Sequence, residues 1–159
     1  MKKVVDVCCG PKGMWFDKKD NRALYLDIRD EEIIINKNAA YPKGTVFNVK
    51  PNLKCDFTNI KLPNECCYHV VFDPPHIKHK NGTAVITKQY GFLKDNWQQM
   101  IKDGFKECFR ILKPNGTLIF KWNEVSFSVK EVLKLTDKKP LYGHKSGKKM
   151  NTHWIAFIK

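Results

Sequence analysis

The stretch Val70-Val71-Phe72-Asp73-Pro74-Pro75-His76 joins an apolar run to an acidic residue, two prolines and an imidazole ring. Proline holds φ near about −65° and has no N–H to donate, so a strand that contains Val70 to Phe72 must end at Pro74. The Asp73 carboxylate and nearby carbonyl oxygens are then expected to point away from the sheet. Because such a rigid set of acceptors suits a substrate amino group, the stretch predicts an active-site loop at the carboxyl end of a buried strand.

Short apolar runs alternate with helical or turn-rich segments along the rest of the chain, which is typical of an α/β sheet. The predicted strands span residues 4–7, 23–26, 67–72, 117–122 and 154–158. A strand before Asp56 lies either near Thr45 to Val49 or near Asn52 to Lys54. At 159 residues the chain is expected to form one domain, residues 1–159, which needs no metal or disulfide to fold.

Two helices are predicted in the second half of the chain. From Asp95 to Leu112, apolar side chains recur every three or four residues. From Ser128 to Leu135, a serine followed three residues later by Glu131 has the spacing of a capping box. The segment Ile77 to Phe92 has no steady period, so we expect a long functional loop directly after the prolines.

The chain is strongly basic, with 29 lysines and arginines against 16 acidic residues and a formal charge of +13. Clustered positive charge attracts phosphates without regard to sequence, so the charge favours a nucleic-acid partner. Nearly all of it comes from scattered lysines, which are also typical of ordinary solvated surfaces. The densest basic stretch runs from Lys138 to Lys149.

The cysteines form no C-x-x-C pair and lie in or beside apolar segments, so buried free thiols are expected rather than a metal site. No stretch of about 18 apolar residues is present, and the amino terminus turns acidic at Asp6, so neither a membrane span nor a secretory signal is expected. We therefore predict a cytoplasmic protein without a metal. The six cysteines are Cys8, Cys9, Cys55, Cys66, Cys67 and Cys108.

Acidic residues come at the ends of the first two predicted strands. Asp6 lies in the first strand and is followed by a turn with Gly10 and Gly13, whose small size lets a backbone approach a ligand closely. Asp27 ends the second strand, and a short helix is expected before that strand, near Met14 to Lys19. A carboxylate at this position can accept hydrogen bonds from both hydroxyls of a ribose. Two glycines for turn geometry and a helix-capping aspartate are the alternative interpretations.

A third acid, Asp56, is followed by Phe57 and precedes the Asp73 strand. If the chain reaches the same edge of the sheet there, Asp56 offers an acceptor for an adenine amino group and Phe57 an aromatic face. The alternative is an aspartate that caps a turn or a helix.

Together these motifs resemble the class I S-adenosylmethionine-dependent methyltransferases, and in particular the amino-methyltransferases with a D-P-P-aromatic motif that act on nucleic-acid bases. Asp56 and Asp73 look like the adenine-contacting and catalytic acids of that family. The resemblance implies a Rossmann-like, seven-stranded, mostly parallel sheet with helices on both faces, a three-layer sandwich whose last strands suit residues 140–145 and 152–158. It also implies S-adenosyl-L-methionine as cofactor, bound by Asp6, Cys8, Cys9, Gly10, Asp27, Ile28, Asp56, Phe57 and Asp73.

The resemblance implies transfer of a methyl group to an exocyclic amino nitrogen, with adenine N6 of DNA or RNA favoured. The lone pair of that nitrogen is delocalised into the ring, so hydrogen bonds from its N–H groups to the Asp73 carboxylate and the Pro74 carbonyl would favour the attacking form. The predicted catalytic residues are Asp73, Pro74, Pro75 and His76.

His76 departs from the family pattern, which has tyrosine, phenylalanine or tryptophan at this position. The aromatic ring stacks on the extruded base, and stacking contributes about 1–3 kcal/mol per base. A protonated histidine stacks less well, so Tyr90, Phe92 or Trp122 is considered as a replacement face. A general-base role for His76 is the alternative.

The chain leaves no room for a separate target-recognition domain, so target choice is expected from the Ile77 to Phe92 loop or the Gly143 to Asn151 turn. Tyr90 and Phe92 are predicted to contact the base. A recognition subunit, a protein amide or a small amine as substrate, and a non-catalytic nucleic-acid-binding or assembly subunit are the alternatives. The phosphate-contacting residues are predicted to be Lys78, Lys80, Lys88, Lys145, Lys148 and Lys149.

Overall fold

A computed structural model describes residues 2–159, which form nine strands and three helices. The helices are α1 (Val85–Tyr90), α2 (Trp97–Ile111) and α3 (Val129–Leu133). The strands are β1 (Val4–Asp6), β2 (Ala23–Asp27), β3 (Glu31–Ile35), β4 (Thr45–Val49), β5 (Leu53–Lys54), β6 (Cys67–Phe72), β7 (Leu112–Asn123), β8 (Tyr142–Ser146) and β9 (Thr152–Ile158).

Seven of the strands form one sheet in the order β5-β2-β1-β6-β7-β9-β8. Strands β5, β2, β1, β6 and β7 are parallel, and β9 runs antiparallel to both β7 and β8. The predicted fold class, a seven-stranded and mostly parallel Rossmann-like sheet, is confirmed. Both candidate strands before Asp56 exist: Leu53–Lys54 is the edge of this sheet, and Thr45–Val49 pairs with Glu31–Ile35 in a separate hairpin.

The main core lies on the face of the sheet covered by α2 and α3. Phe72 at the end of β6 is its centre, because the rings of Phe57, Phe105 and Phe120 all lie within 5.5 Å of the Phe72 ring. Helix α2 approaches this cluster through Gly104, where an added Cβ would lie 2.6 Å from the Phe72 ring. The predicted periodic helix is thus confirmed, and so is the capping box of α3, in which Ser128 and Glu131 bond reciprocally.

The connection between β1 and β2 differs from the prediction of a short helix. Within the described residues, the β1–β2 connection consists of turns, and the β3–β4 hairpin belongs to the chain segment that joins β2 to β5. The predicted helix at Met14 to Lys19 is wrong. Asp17 accepts from the backbone N–H of Lys19 at 2.8 Å, a local bond that competes with helical pairing.

The segment after the prolines also differs in part from the prediction, because the expected loop from Ile77 to Phe92 contains helix α1. This helix packs on β3 of the hairpin, and Val85 joins the small cluster around Ile33 and Ile35. A tertiary contact therefore stabilises six helical residues that have no periodic apolar stripe of their own.

All six cysteines are free, and Cys8 alone among them is half-buried rather than buried. Within residues 2–159, none of the helices combines the length and the apolar character that crossing a membrane requires.

Candidate active site

Four carboxylates lie at the end of the sheet where the parallel strands have their carboxyl ends, as the sequence predicts, and this end is called the acidic edge. Asp6 ends β1, Asp27 ends β2, Asp56 follows β5 and Asp73 follows β6. These four strands are neighbours and run parallel, so their carboxyl ends meet at the same edge. In open α/β sheets this edge is where ligands bind.

Asp6 is buried, and both of its carboxylate oxygens accept hydrogen bonds. Its Oδ2 accepts from Trp15 Nε1 at 2.7 Å, and its Oδ1 accepts from the backbone N–H of Cys8 at 3.3 Å. Burial raises the pKa of Asp6 to about 7, and the nearby charges of Asp73 and Asp27 act in the same direction. Asp6 thus anchors the Trp15 side chain at the carboxyl end of β1.

The glycine turn is fixed to the second strand through Asp27. The N–H of Gly10, at a φ of +50°, donates to Asp27 Oδ2 at 2.9 Å. Asp27 Oδ1 accepts from the backbone N–H of Arg29 at 2.9 Å and from its Nε at 3.2 Å. Three N–H groups therefore already engage the predicted ribose-binding acid.

Arg29 also ties helix α1 to this site. Its Nη1 donates to the carbonyl oxygens of Lys88 at 3.0 Å and Gln89 at 3.2 Å. The same side chain therefore joins Asp27 at the end of β2 to the last turn of α1. The chain after α1 packs on the proline motif, because a Cβ added at Gly91 would lie 3.0 Å from Pro75.

Asp56 and Phe57, the second and third residues after β5, have different surroundings. Asp56 is half-buried, and its Oδ1 accepts from the backbone N–H and the hydroxyl of Thr58, both at 2.8 Å. Phe57 has its ring in the main core against Phe72. The turn-capping alternative for Asp56 therefore has structural support, and Phe57 presents no open aromatic face at this edge.

The remaining predicted cofactor residues, Cys8, Cys9 and Ile28, surround the glycine turn. Burial and the charge of Asp6 raise the pKa of both thiols, that of Cys9 to about 12, so both stay protonated and neutral. Cys9 packs with Tyr25 on the face of the sheet opposite α2. Ile28 follows Asp27 and is exposed, with 58% of its surface accessible.

Asp73 forms an ion pair that the sequence analysis did not anticipate. Its Oδ2 accepts from Nζ of Lys121 on β7 at 2.5 Å. Lys121 also lies over the Trp154 ring, with Nζ 5.5 Å from the ring centroid. The pair neutralises the charge of Asp73 and holds its carboxylate in one orientation.

Two buried polar atoms beside this ion pair have no hydrogen-bond partner in the described chain: Asp73 Oδ1 and His76 Nδ1. They are 3.9 Å apart, which is too far for a direct hydrogen bond. Burial lowers the pKa of His76, so its imidazole is neutral near pH 7. The His76 ring stands edge-on against Trp122, with ring centroids 5.7 Å apart.

The aromatic residues considered for base stacking differ in exposure. Trp122 is fully buried and donates from Nε1 to the Phe127 carbonyl at 2.9 Å, so it supports His76 from inside the core. Phe92 is half-buried and packs against Gly82. Tyr90 is 46% exposed, and partial burial raises the pKa of its hydroxyl, with smaller effects from the nearby charges of Lys121, which lowers it, and Asp73, which raises it. Of the three, Tyr90 therefore has the most accessible ring.

The predicted phosphate-contacting lysines form no single group. Lys78 pairs with Asp95 at 3.3 Å, and Lys80 and Lys88 are exposed on the segment after the prolines. Lys145, on β8, and the β8–β9 turn with Lys148 and Lys149 lie on the far side of β9 from the carboxylates. The β8–β9 turn lies at the same end of the sheet as the carboxylates, since Thr152 pairs with Asn123 at the end of β7, but β7 and β9 separate β8 from β6.

The space above the glycine turn is open. A Cβ added at Gly10 would meet only Arg29 Nη2, at 3.9 Å, and one at Gly13 only Tyr90 Oη, at 4.0 Å. The side chains of Arg29 and Tyr90 thus border a gap whose floor is the backbone of this turn. Backbone without side chains beside a carboxylate suits close approach of a polar ligand.

Comparisons with solved structures find the same fold in several proteins. The chain is similar to a protein of Pyrococcus horikoshii with a TM-score of 0.64 and 14% identity, over 98% of this chain and 80% of that one. It is similar to a TehB-like SAM-dependent methyltransferase of Corynebacterium glutamicum with a TM-score of 0.58 and 11% identity, over 99% and 80% of the two chains. These similarities show the fold that the sequence predicts.

A third similar structure contains bound ligands. It is the 1,6-didemethyltoxoflavin-N1-methyltransferase of Burkholderia thailandensis with 1,6-didemethyltoxoflavin and S-adenosylhomocysteine, matched with a TM-score of 0.56 and 11% identity over 98% of this chain and 70% of that one. No protein-family model and no curated protein matches the sequence.

Three residues of the site were missed by sequence reasoning: Trp15, Arg29 and Lys121. Arg29 stands two residues after a predicted site acid, a position from which a long side chain can turn back to it. Lys121 interrupts the apolar strand between Phe120 and Trp122. A lysine within such a run was the available signal, although strand alternation alone explains it as solvent-facing.

Proposed function

We propose that this protein is an S-adenosylmethionine-dependent methyltransferase that transfers a methyl group to an exocyclic amino nitrogen of a nucleic-acid base, with adenine N6 favoured. The observation that carries the proposal is the pair of unpartnered buried atoms, Asp73 Oδ1 and His76 Nδ1. Buried polar groups without partners are rare and call for an explanation. An amino group placed between them would satisfy the carboxylate oxygen and, when the His76 proton is on Nε2, the Nδ1 lone pair as well.

The residues at the acidic edge fit the proposed cofactor. The open backbone at Gly10 and Gly13 and the carboxylates of Asp27 and Asp56 are groups that can contact a nucleoside, and the fold is shared with proteins described as SAM-dependent methyltransferases. When bound, the cofactor supplies a methyl group activated by a positively charged sulfur. Phe57 and Trp15 would support the site without contacting the cofactor. Phe57 packs in the core and fixes the chain after β5, and Trp15 donates a hydrogen bond to Asp6.

Asp73 has the central role in the proposed chemistry. Lys121 holds Asp73 Oδ2, which leaves Oδ1 free to accept a substrate N–H. One substrate N–H would donate to Oδ1 and the other to either His76 Nδ1 or the Pro74 carbonyl, and these two hydrogen bonds would localise the nitrogen lone pair and orient it, which is positioning and electrostatic stabilisation. Pro75 keeps the loop rigid, and the neutral His76 ring can face the base.

Access to these atoms requires a movement, because both are buried. The chain after α1 packs on Pro75 through Gly91, and Arg29 holds the end of α1. A base would reach Asp73 when this segment opens. Single-stranded or structured nucleic acid fits this proposal best, because extruding a base from a duplex costs a few kcal/mol more.

A two-stage experiment tests the proposal. Calorimetric titration of S-adenosylmethionine should show binding, and labelled-methyl transfer should then be measured on separate DNA, RNA and protein pools. We expect Asp73→Asn to bind the cofactor and to lose transfer by at least about a hundredfold, as loss of an oriented polar contact does. Asp137→Asn, on an exposed turn, is the matched control and should transfer normally. Transfer by Asp73→Asn at the wild-type rate would refute the role of Asp73.

One observation favours a second candidate, a non-catalytic nucleic-acid-binding or assembly subunit with this fold. Asp6 and Asp27 already accept hydrogen bonds on both oxygens from the protein itself, from Trp15, Cys8, Gly10 and Arg29. Carboxylates that are satisfied in this way need no cofactor to offset their burial. Absence of calorimetric binding at millimolar S-adenosylmethionine would favour this candidate over the enzyme.

A further inference from the structure

Phe16 has the greatest exposure among the large apolar side chains of the described chain, with its whole ring accessible to solvent. Burial of a phenylalanine side chain stabilises a folded protein, and the exposed Phe16 ring makes no such contribution. It lies in the β1–β2 loop, directly after Trp15, whose side chain is hydrogen-bonded to Asp6.

The exposure of Phe16 is enforced by its neighbours in the loop. On one side Trp15 is fixed by its bond to Asp6 and by edge-on packing against Tyr25, with ring centroids 4.9 Å apart. On the other side the Asp17 carbonyl accepts from the Tyr25 hydroxyl at 3.3 Å. Phe16 stands between two anchored residues, so the loop presents its ring instead of burying it.

Two residues after Phe16, the same loop lines a basic pocket of about 260 Å³. Lys2, Lys12, Lys18 and Lys19 all line it. Asp20 is the one acid in the lining, and its carboxylate is paired with Arg22 at 2.6 Å. The pocket therefore has a net positive charge that its own residues do not neutralise.

The loop connects the pocket to the candidate active site. Its first residues border the gap above the glycine turn, because Gly13 lies beside the Tyr90 hydroxyl. Its last residues lead to the pocket near Ala23 and Asn52, at the amino ends of β2 and β5. A flexible polyanion could follow this path from the carboxylate edge to the lysines.

We propose that the loop from Lys12 to Lys19 is a binding element for single-stranded nucleic acid, in which Phe16 stacks on a base and the pocket lysines contact phosphates. The loop carries an exposed aromatic ring together with lysines that line a pocket, and this combination of stacking surface and positive charge is how proteins bind single strands without reading sequence. A duplex keeps its base faces stacked on one another, so the ring would have no free face to contact. The assignment of this strand as the methyl acceptor rests on the proposed function, whereas its binding does not require catalysis.

Fluorescence anisotropy with labelled 12-nucleotide single strands of DNA and of RNA tests the proposal without cofactor. Phe16→Ala should weaken binding between about fivefold and a hundredfold, as the loss of stacking on one base does, and Phe16→Trp should retain it. Ile34→Ala is the matched control, since Ile34 is a 68% exposed apolar residue on the β3–β4 hairpin, and it should bind as the wild type does. Lys18→Gln with Lys19→Gln should reduce the dependence of the binding constant on salt.

The outcomes separate this proposal from the proposed function. Binding by Phe16→Ala within about twofold of the wild type, or an equal loss in Ile34→Ala, would overturn the stacking role even if methyl transfer is observed. A loss specific to Phe16→Ala would support it even if no methyl transfer occurs. Equal affinity for a 12-base-pair duplex, with no effect of Phe16→Ala on either ligand, would also overturn the proposal, because binding would then depend on positive charge alone.

Discussion

Asp6 and Asp73 stand one strand apart at the same edge of the sheet, yet their surroundings differ. Asp73 faces the ammonium group of Lys121, whereas Asp6 is buried among neutral donors and near two other carboxylates. Burial therefore raises the pKa of Asp6 to about 7. A carboxyl group of this kind is partly protonated under ordinary assay conditions, which makes it a source of pH-dependent stability.

We predict that the contribution of Asp6 to stability falls as the pH rises. The unfolded-state pKa of an aspartate is about 3.9, so the folded protein binds this proton more tightly than the unfolded chain does. The contribution is complete below about pH 4 and is lost towards pH 7, at up to about 1.4 kcal/mol per pH unit. Urea unfolding of the wild type and of Asp6→Asn at pH 5 and pH 8 measures it, and parallel pH profiles of the two proteins would contradict the prediction.

The positions of the four carboxylates and of the Asp73–His76 motif could be predicted from the local sequence, but the side chains that contact them could not. Proline chemistry fixes the end of β6 locally, so the position of Asp73 follows from the sequence. Lys121 meets Asp73 only because β7 pairs with β6 in one particular register, 48 residues later in the chain. Likewise, Phe57 could not be assigned to the core until the approach of α2 at Gly104 was known.

At the scale of elements, helix α1 depends on contacts outside itself. It has six residues, no side-chain bond at its N-cap, and carbonyl oxygens at its end that accept from Arg29. Isolated helices this short are unstable in water. Arg29 is therefore expected to control how often the segment over the proline motif opens.

We predict that Arg29→Met accelerates hydrogen exchange in residues 85–91 while α2 keeps wild-type protection. The variant removes the donors to Lys88 and Gln89 but keeps a side chain of similar length. Exchange read by mass spectrometry of peptides from the two helices measures the difference. Arg22→Met, which breaks an exposed ion pair with Asp20, is the control and should leave both helices unchanged. Unaltered exchange in α1 of Arg29→Met would show that the hairpin alone holds it.

Helices with signals in their own sequence were predicted well, and those formed by contact were not. The α3 capping box lies within four consecutive residues, so Ser128 and Glu131 predict it without knowledge of the fold. In the Met14 to Lys19 segment, Trp15 is bound to Asp6 and Tyr25 holds the Asp17 carbonyl, and these distant contacts select turns over a helix.

At the scale of the whole molecule, one core on one face of the sheet supports the fold. Phe72 joins β6 to α2, β7 and the turn after β5 through three aromatic contacts, and it is fully buried. Its loss should therefore weaken the whole domain rather than one element.

We predict that Phe72→Ala lowers the free energy of unfolding by about 3–5 kcal/mol, as expected for a large cavity in a packed core. Phe16→Ala makes the same chemical change at an exposed ring and should leave stability unchanged. Urea unfolding followed by both circular dichroism and tryptophan fluorescence measures the two variants. A loss below about 1 kcal/mol in Phe72→Ala, or separate transitions by the two probes, would contradict a single cooperative core.

The position of β9 has a consequence for how the chain is made. Strand β9 is the last strand in the sequence, yet it lies between β7 and β8 in the sheet. During synthesis on the ribosome, β8 therefore has no place to pair until β9 has emerged, and the apolar edge of β7 stays open for the same time. Exposed apolar edges pair with other chains. A chain in which β9 has not yet paired with β7 is therefore expected to aggregate more readily than the folded protein, because an open strand edge can pair with another chain.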